Sequence, residues 1–185
     1  MNKPHQGRCR TVVRQPRPTA TAACLWLVVA LIVCVACSLL WRPRPLLLWN
    51  STPSSPVGLY AVIARPTMRV GDIVIAWAPT AARRMAAARH YLPFGVPLVK
   101  RIAAAKGDRI CASGARVMVN GRIAATRRPR DPSGRPMPSW SGCAELKRGE
   151  LFLLSSGKPY AFDGRYFGIT RASQVVGGAW LLWPR

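Results

Sequence analysis

Asn50-Ser51-Thr52-Pro53-Ser54-Ser55-Pro56-Val57-Gly58-Leu59-Tyr60 is the stretch on which the reading of this chain turns. It lies between an apolar run, Leu46 to Trp49, and a strand-like run, Leu59 to Ala64. Proline fixes its own φ and restricts the residue before it. Pro53 and Pro56 therefore stiffen the backbone on both sides of Ser54. A stiff loop with a central hydroxyl can present a nucleophile, and the same composition also makes an ordinary Ser/Pro linker. The stretch alone leaves both readings open.

Upstream, residues 1–21 carry Lys3, Arg8, Arg10, Arg14 and Arg17 and no acid. Ala22 to Trp41 then runs without charge, glycine or proline. Its length matches the ~20 residues needed to cross a hydrocarbon core of ~30 Å. A cleaved signal peptide would have a shorter apolar region, ~7–15 residues, before a small-x-small site. The expectation is an uncleaved anchor over 22–41, closed by Trp41 at the interface. The basic residues ahead of it outnumber Arg42 and Arg44 behind it, so the N-terminus is expected in the cytoplasm. Residues 42–185 would then form one outer domain, outside the cytoplasm. Cys34 and Cys37 have CxxC spacing but lie inside the span, where they read as small packing residues.

The net charge of +22 comes from 28 Lys+Arg against 6 Asp+Glu, and half of the 185 residues are hydrophobic. That is too apolar for a disordered basic tail. Charge alone would permit nucleic-acid binding. The basic residues are scattered, however, and most lie in the segment expected outside the cytoplasm, so no nucleic-acid partner is expected.

Downstream, strands are expected at 59–64, 73–76, 98–103, 109–112 and 151–154, with a β-rich close over 175–183. Thr80 to Tyr91 is rich in helix formers and predicts one short helix, with Thr80 as a possible cap. Val117 to Ala124 contains Asn120-Gly121, a type I′ hairpin signal. Arg127 to Gly142, rich in Pro, Arg and Ser, reads as a mobile surface loop, and Asp163 to Gly168 as a compact loop with a charge pair. The outer domain is thus expected to be mainly β with one short helix, behind a single N-terminal transmembrane helix.

Elimination narrows the chemistry. His90 is the only histidine beyond the span and sits on a strongly basic segment, which speaks against a Ser-His-Asp triad. No zinc-ligand spacing, phosphate loop or dinucleotide fingerprint is present, so neither metal nor cofactor is expected. A serine with a lysine base remains. Such a lysine must be neutral, which burial among apolar side chains can achieve by disfavouring the ammonium form. Strand alternation puts Lys100 on one face with Leu98 and Ile102, and Arg101 on the other. A snorkelling strand lysine would show the same pattern.

These residues resemble the signal peptidase superfamily of serine/lysine peptidases (the S26 family), and within it the conjugative-transfer, or TraF-type, branch. Three boxes carry the resemblance: Asn50-x-Thr52-x-Ser54-x-Pro56-x-Gly58-x-Tyr60; Leu98-Val99-Lys100-Arg101-Ile102 followed by Lys106-Gly107-Asp108-Arg109-Ile110-Cys111; and Phe162-Asp163-Gly164-Arg165-Tyr166-Phe167-Gly168. The resemblance implies a signal-peptidase-like β fold, Ser54 as nucleophile and Lys100 as general base. Thr52 and the Ser54 backbone N–H are implied as oxyanion donors. Asp163 is implied as the acidic residue of the last box, with Arg165 as its structural partner. The implied substrate is a membrane-bound preprotein, a conjugative pilin precursor, which members of the branch are associated with cyclising. Other partners would be the lipid bilayer and proteins of a conjugation apparatus.

Cys111 and Cys143 are the only cysteines beyond the span, and an oxidising compartment favours a disulfide between them. The conjugative branch tends to carry a cysteine pair there. Two positions depart from housekeeping signal peptidases. Ala161 stands where those enzymes carry a serine that helps hold the lysine, and Gly164 stands where they read serine. A direct contact of Asp163 with Lys100 would raise the lysine pKa, so Asp163 is expected to order its loop mainly through Arg165. The rival readings are a housekeeping type I signal peptidase and a non-enzymatic, membrane-anchored basic assembly protein.

Overall fold

A computed structural model describes residues 20–40, 46–53, 55–64, 68–155 and 161–185. The basic segment before the span, Trp41 and Ser54 lie outside the described residues. The chain divides into two compact units, 1–43 and 44–185. The first holds helix α1, Ala20–Leu40. Its stretch Thr21–Ser38 is long and apolar enough to cross a membrane.

The second unit is mainly β, as expected. Its elements are β1 (Leu47–Asn50), β2 (Gly58–Ile63), β3 (Ile73–Ala76), α2 (Thr80–Ala88), β4 (Leu98–Ala104), β5 (Arg109–Ser113), β6 (Arg116–Val119), β7 (Arg122–Thr126), β8 (Gly142–Glu145), β9 (Glu150–Leu154), the one-turn α3 (Gly164–Phe167), β10 (Thr170–Arg171) and β11 (Val175–Pro184). Seven strands form one sheet in the order β1-β2-β11-β3-β4-β9-β10, and four form another in the order β7-β6-β5-β8.

Residue type explains the pairing. β3 and β4 are antiparallel and put Val74 opposite Lys100 and Ile75 opposite Val99. Val74, Ile75, Val99 and Ile102 are buried, whereas Arg101 is exposed and donates to the Gly71 carbonyl. A second core joins the sheets: Ile110, Ala112 and Val117 of the small sheet pack with Ala104, Phe152 and Leu154 of the large one. Asn120 and Gly121 both have positive φ, 49° and 77°, at the β6–β7 turn, as a type I′ hairpin requires. The Cys111–Cys143 disulfide joins β5 to β8 across the small sheet.

The apolar run Leu46 to Trp49, for which no element was expected, contributes to strand β1, paired with β2. Several expectations are corrected. Thr80 is the first helical residue rather than the cap; Pro79 occupies the cap position and makes no side-chain cap bond. The helix ends at Ala88, and His90 has a positive φ of 58° just beyond it. Asp163 to Gly168 is the turn of helix α3, with the Asp163 carboxylate accepting from the Arg165 N–H. Arg127 to Gly142 is an irregular, largely exposed segment, as expected, but Arg127 and Asp131 within it are buried and hydrogen-bonded.

Candidate active site

Three segments converge on Lys100. The first is the loop between β1 and β2, built around Asn50. The Asn50 side-chain amide lies within hydrogen-bond reach of the Thr52, Ser55 and Pro56 carbonyls, at 3.0, 3.2 and 3.0 Å. Its Oδ1 accepts from the Thr52 N–H at 3.2 Å and the Thr52 hydroxyl at 2.8 Å. Ser55 Oγ donates to the Val99 carbonyl at 3.0 Å, which fastens the loop to β4 one residue before Lys100. The Tyr60 hydroxyl donates to the Pro56 carbonyl at 2.7 Å. Gly58 closes the loop at φ +152°, where a Cβ would stand 2.0 Å from the Trp183 carbonyl oxygen. Only glycine accepts both that backbone and that approach. The stretch is therefore a tightly bonded turn against β4, and not a linker.

The second segment is β4 itself. Lys100 is 2 % exposed, and its Nζ donates to Ser155 Oγ at 2.7 Å. Burial pulls its pKa from 10.5 down to about 8; the Asp163 carboxylate opposes that fall and the Arg165 guanidinium adds to it. A lysine that titrates near 8 is neutral in about a tenth of molecules at pH 7. It can then accept a proton, which Arg101 beside it cannot.

The third segment runs from the end of β9 to α3. Asp163 is fully buried, and both of its oxygens are engaged. Oδ1 accepts from Arg165 N–H at 3.1 Å and Arg165 Nε at 2.8 Å. Oδ2 accepts from Arg165 Nη2 at 3.0 Å and from the Ser155 N–H at 2.8 Å. A two-pronged guanidinium–carboxylate pair is a strong way to hold a buried charge. Arg165 Nη1 also donates to the Thr126 carbonyl at the end of β7, which ties α3 to the small sheet. Gly164 is needed for packing: a Cβ there would meet the Leu153 carbonyl oxygen at 2.7 Å and the Phe152 ring at 2.9 Å. The serine of housekeeping enzymes does not fit this close approach to β9 without a shift.

Lys100, Thr52 and Pro53 line a cavity of about 440 Å³, together with Leu98, Met137 and Phe162. Its size and apolar lining, with a few polar groups, suit an extended peptide side chain. The wall opposite Lys100 comes from the segment expected to be mobile. Asp131 accepts from the Ser133 N–H, the Arg135 N–H and Arg135 Nε, at 2.9, 2.9 and 2.7 Å, and from the Tyr91 hydroxyl. Burial opposes ionisation of Asp131, but the Tyr91 hydroxyl and Arg135 outweigh it and hold the carboxyl well below its usual range. Arg127 donates to the Gly114 and Trp140 carbonyls, at 2.8 and 2.6 Å, and Arg128 N–H to the Tyr166 hydroxyl at 3.1 Å. Tyr91 is itself placed by the end of α2, where its N–H donates to the Ala86 carbonyl at 2.9 Å.

Of the residues singled out in the sequence, Thr52 and Lys100 share the cavity, with Asp163 and Arg165 behind it; position 54 lies between Pro53 and Ser55 in the chain but outside the described residues. Cys111 and Cys143 belong to the small sheet, not to the site. Ser155 and the Asp131 wall were missed, as were the structural roles of Asn50 and Ser55. Asp131-Pro132-Ser133-Gly134 carries the residues of a type I turn, aspartate first and glycine fourth, and that signal was available.

The chain matches the family described as signal peptidase, peptidase S26, over residues 19–183. It is 34 % identical over 136 residues to a plasmid transfer protein TraF of Escherichia coli, covering 69 % of this chain and 77 % of that protein. A second plasmid transfer protein TraF of Escherichia coli is 32 % identical over 135 residues, covering 68 % and 76 %. Among solved structures, a signal peptidase I from Enterococcus faecalis V583 shares 17 % identity at a TM-score of 0.36, covering 62 % of this chain and 97 % of that one. With the family match spanning nearly the whole chain and relatives at about one-third identity over most of their length, this chain belongs to the signal peptidase family, peptidase S26.

Proposed function

We propose that this chain is a membrane-anchored serine endopeptidase in which Ser54 attacks the scissile carbonyl while neutral Lys100 takes its proton. One observation carries this reading: a buried lysine, titrating near 8, faces a peptide-sized cavity next to the loop that contains position 54. Lys100 then returns the proton to the leaving amine, and the acyl-enzyme is resolved by water, or by an amine that joins two peptide ends. Thr52 and the Ser54 N–H are the oxyanion donors. In the resting state the Thr52 hydroxyl donates to Asn50 Oδ1, so it must turn toward the substrate to serve.

The substrate we infer is a pilin precursor of a conjugation system, in keeping with the plasmid transfer proteins this chain is similar to. The proposed topology has residues 1–21 in the cytoplasm, 22–41 in the inner membrane and 42–185 as the periplasmic peptidase domain. The test uses the full chain in detergent micelles with the co-encoded pilin precursor. Ser54→Ala and Lys100→Ala should each abolish cleavage while still folding, as shown by a cooperative melting transition. Cleavage at the wild-type rate by either variant would sink the serine/lysine mechanism. The product mass would separate the two fates of the acyl-enzyme, since cyclisation leaves a peptide one water lighter than hydrolysis.

A further inference from the structure

A neutral lysine is an efficient base only if its lone pair is aimed at the serine. Its four-carbon stem is flexible, so something must hold the amine. In this chain the residue two before Asp163 is Ala161, which lines the cavity beside Lys100 but offers no hydroxyl. We propose that Ser155, at the end of β9, is the residue that positions Lys100, and that Asp163 acts on the base through it. This rests on the reading of Lys100 as general base.

The geometry supports each link. β4 and β9 are antiparallel with Arg101 opposite Leu154 and Ile102 opposite Leu153, so the register continues to Lys100 and Ser155. Lys100 Nζ donates to Ser155 Oγ at 2.7 Å, and both residues are buried. Ser155 is held in turn by its own N–H, which donates to Asp163 Oδ2. Arg165 clamps Asp163 from the far side. Asp163 thus fixes the backbone that carries the Ser155 hydroxyl, and its oxygens are occupied in doing so. One N–H of the amine is spent on Ser155, which keeps the lone pair off that bond and leaves it and the second N–H to share the side that lines the cavity. Among the described residues, the charged and titratable groups around Lys100 are Asp163, Arg165 and Tyr166 from the α3 side, and Tyr91, Arg130 and Asp131 across the cavity; β3 faces it with apolar Val74.

Ser155→Ala tests this in the full chain in micelles, with two readouts. The first is kinetic, on the co-encoded pilin precursor: kcat should fall ~10–100-fold with KM within about twofold, as expected when a base is misplaced while substrate binding is intact. The second needs no substrate. The ammonium loses an acceptor that favours its charged form, so the Lys100 midpoint, read by carbon NMR of its ε-methylene, should move below about 8. A merely structural role would change neither the midpoint nor kcat of the folded fraction. A variant with wild-type kcat and an unmoved midpoint overturns the inference. If Ser155→Ala does not fold, the near-isosteric pair Ser155→Thr and Ser155→Val replaces it: equal kcat in that pair overturns the inference, and a loss confined to valine upholds it. Lys100→Ala, run alongside, separates the two levels. Activity surviving in Lys100→Ala refutes the base itself, whereas an inactive Lys100→Ala beside a fully active Ser155→Ala refutes only the positioning.

Discussion

Replacing Lys100 by methionine measures what its burial costs. The side chain is 2 % exposed, and desolvation takes its pKa from 10.5 to about 8, against the pull of Asp163 and with the help of Arg165. At ~1.36 kcal/mol per pH unit, that fall corresponds to ~3 kcal/mol of lost stability. The sign follows from proton counting. Between about pH 8 and 10.5 the folded chain binds fewer protons than the unfolded one, so stability rises with pH across that window. The penalty is present in full below about pH 8 and is gone above 10.5. Methionine carries no such dependence. Urea unfolding of the full chain in micelles, followed by tryptophan fluorescence with the disulfide intact, gives the difference between variant and wild type at each pH. Tyrosines and other groups titrate in both proteins and cancel. Loss of the bond to Ser155 shifts the whole difference by ~1 kcal/mol but leaves its slope alone. The difference should swing by ~3 kcal/mol in favour of methionine as pH falls from 10.5 to 7, and the variant should be inactive throughout. Parallel unfolding curves for the two proteins would mean that Lys100 titrates normally, and would remove the physical basis for a neutral base.

Thr52→Val should lower kcat ~10²-fold with little change in the melting transition, the usual cost of one oxyanion donor; an unchanged kcat would assign Thr52 to loop architecture alone. Reducing Cys111–Cys143, which closes a separation of 32 residues, should cost up to about 3–4 kcal/mol of unfolding free energy; the same midpoint in urea with and without reductant would contradict this. Asp131→Asn should loosen the cavity wall, raising KM severalfold with kcat nearly unchanged. Because the folded carboxyl titrates below its unfolded value of about 4, its contribution is present at neutral pH and lost as pH falls through the acid range. Protection of residues 127–137, taken relative to the intrinsic exchange rate at each pH, should therefore fall in acid for the wild type, and should already be low at pH 7 for the variant. Wild-type protection in Asp131→Asn would show that the wall stands without this carboxylate.

The legible part of the site was the part set by local periodicity. Alternation put Lys100 on one face with Leu98 and Ile102, and Arg101 on the other, without deciding whether the lysine is buried; in β4 Lys100 and Ile102 are buried and Arg101 is exposed, while Val99 on the Arg101 face is buried as well. Asn120-Gly121 forms its hairpin because positive φ at two successive residues leaves few other sequences. The Cys111–Cys143 pair follows from the shortage of alternative partners. What was not legible depends on register and on distant partners. Ser155 meets Lys100 across 55 residues of chain, and nothing local to Leu154-Ser155 announces that contact. The 127–142 segment has the composition of a solvated loop. Its order comes from one carboxylate gathering Tyr91, Arg89 and Arg135 around it. β8 was missed because all four of its residues are exposed, which leaves no apolar alternation to read. The departures at Ala161 and Gly164 have local reasons. The hydroxyl absent at 161 stands at 155, and the tight packing on β9 excludes a side chain at 164.

The central claim, a lysine that works as a base because burial lowers its pKa, is tested most directly by the pH dependence of kcat/KM. This quantity reports the ionisation of the free enzyme. With the full chain and the pilin precursor, kcat/KM should rise tenfold per pH unit in acid and level off above about pH 8, the point at which Lys100 loses its proton. A profile that is flat from pH 6 to 9, or one that levels off near the histidine value of about 6.5, would contradict the account.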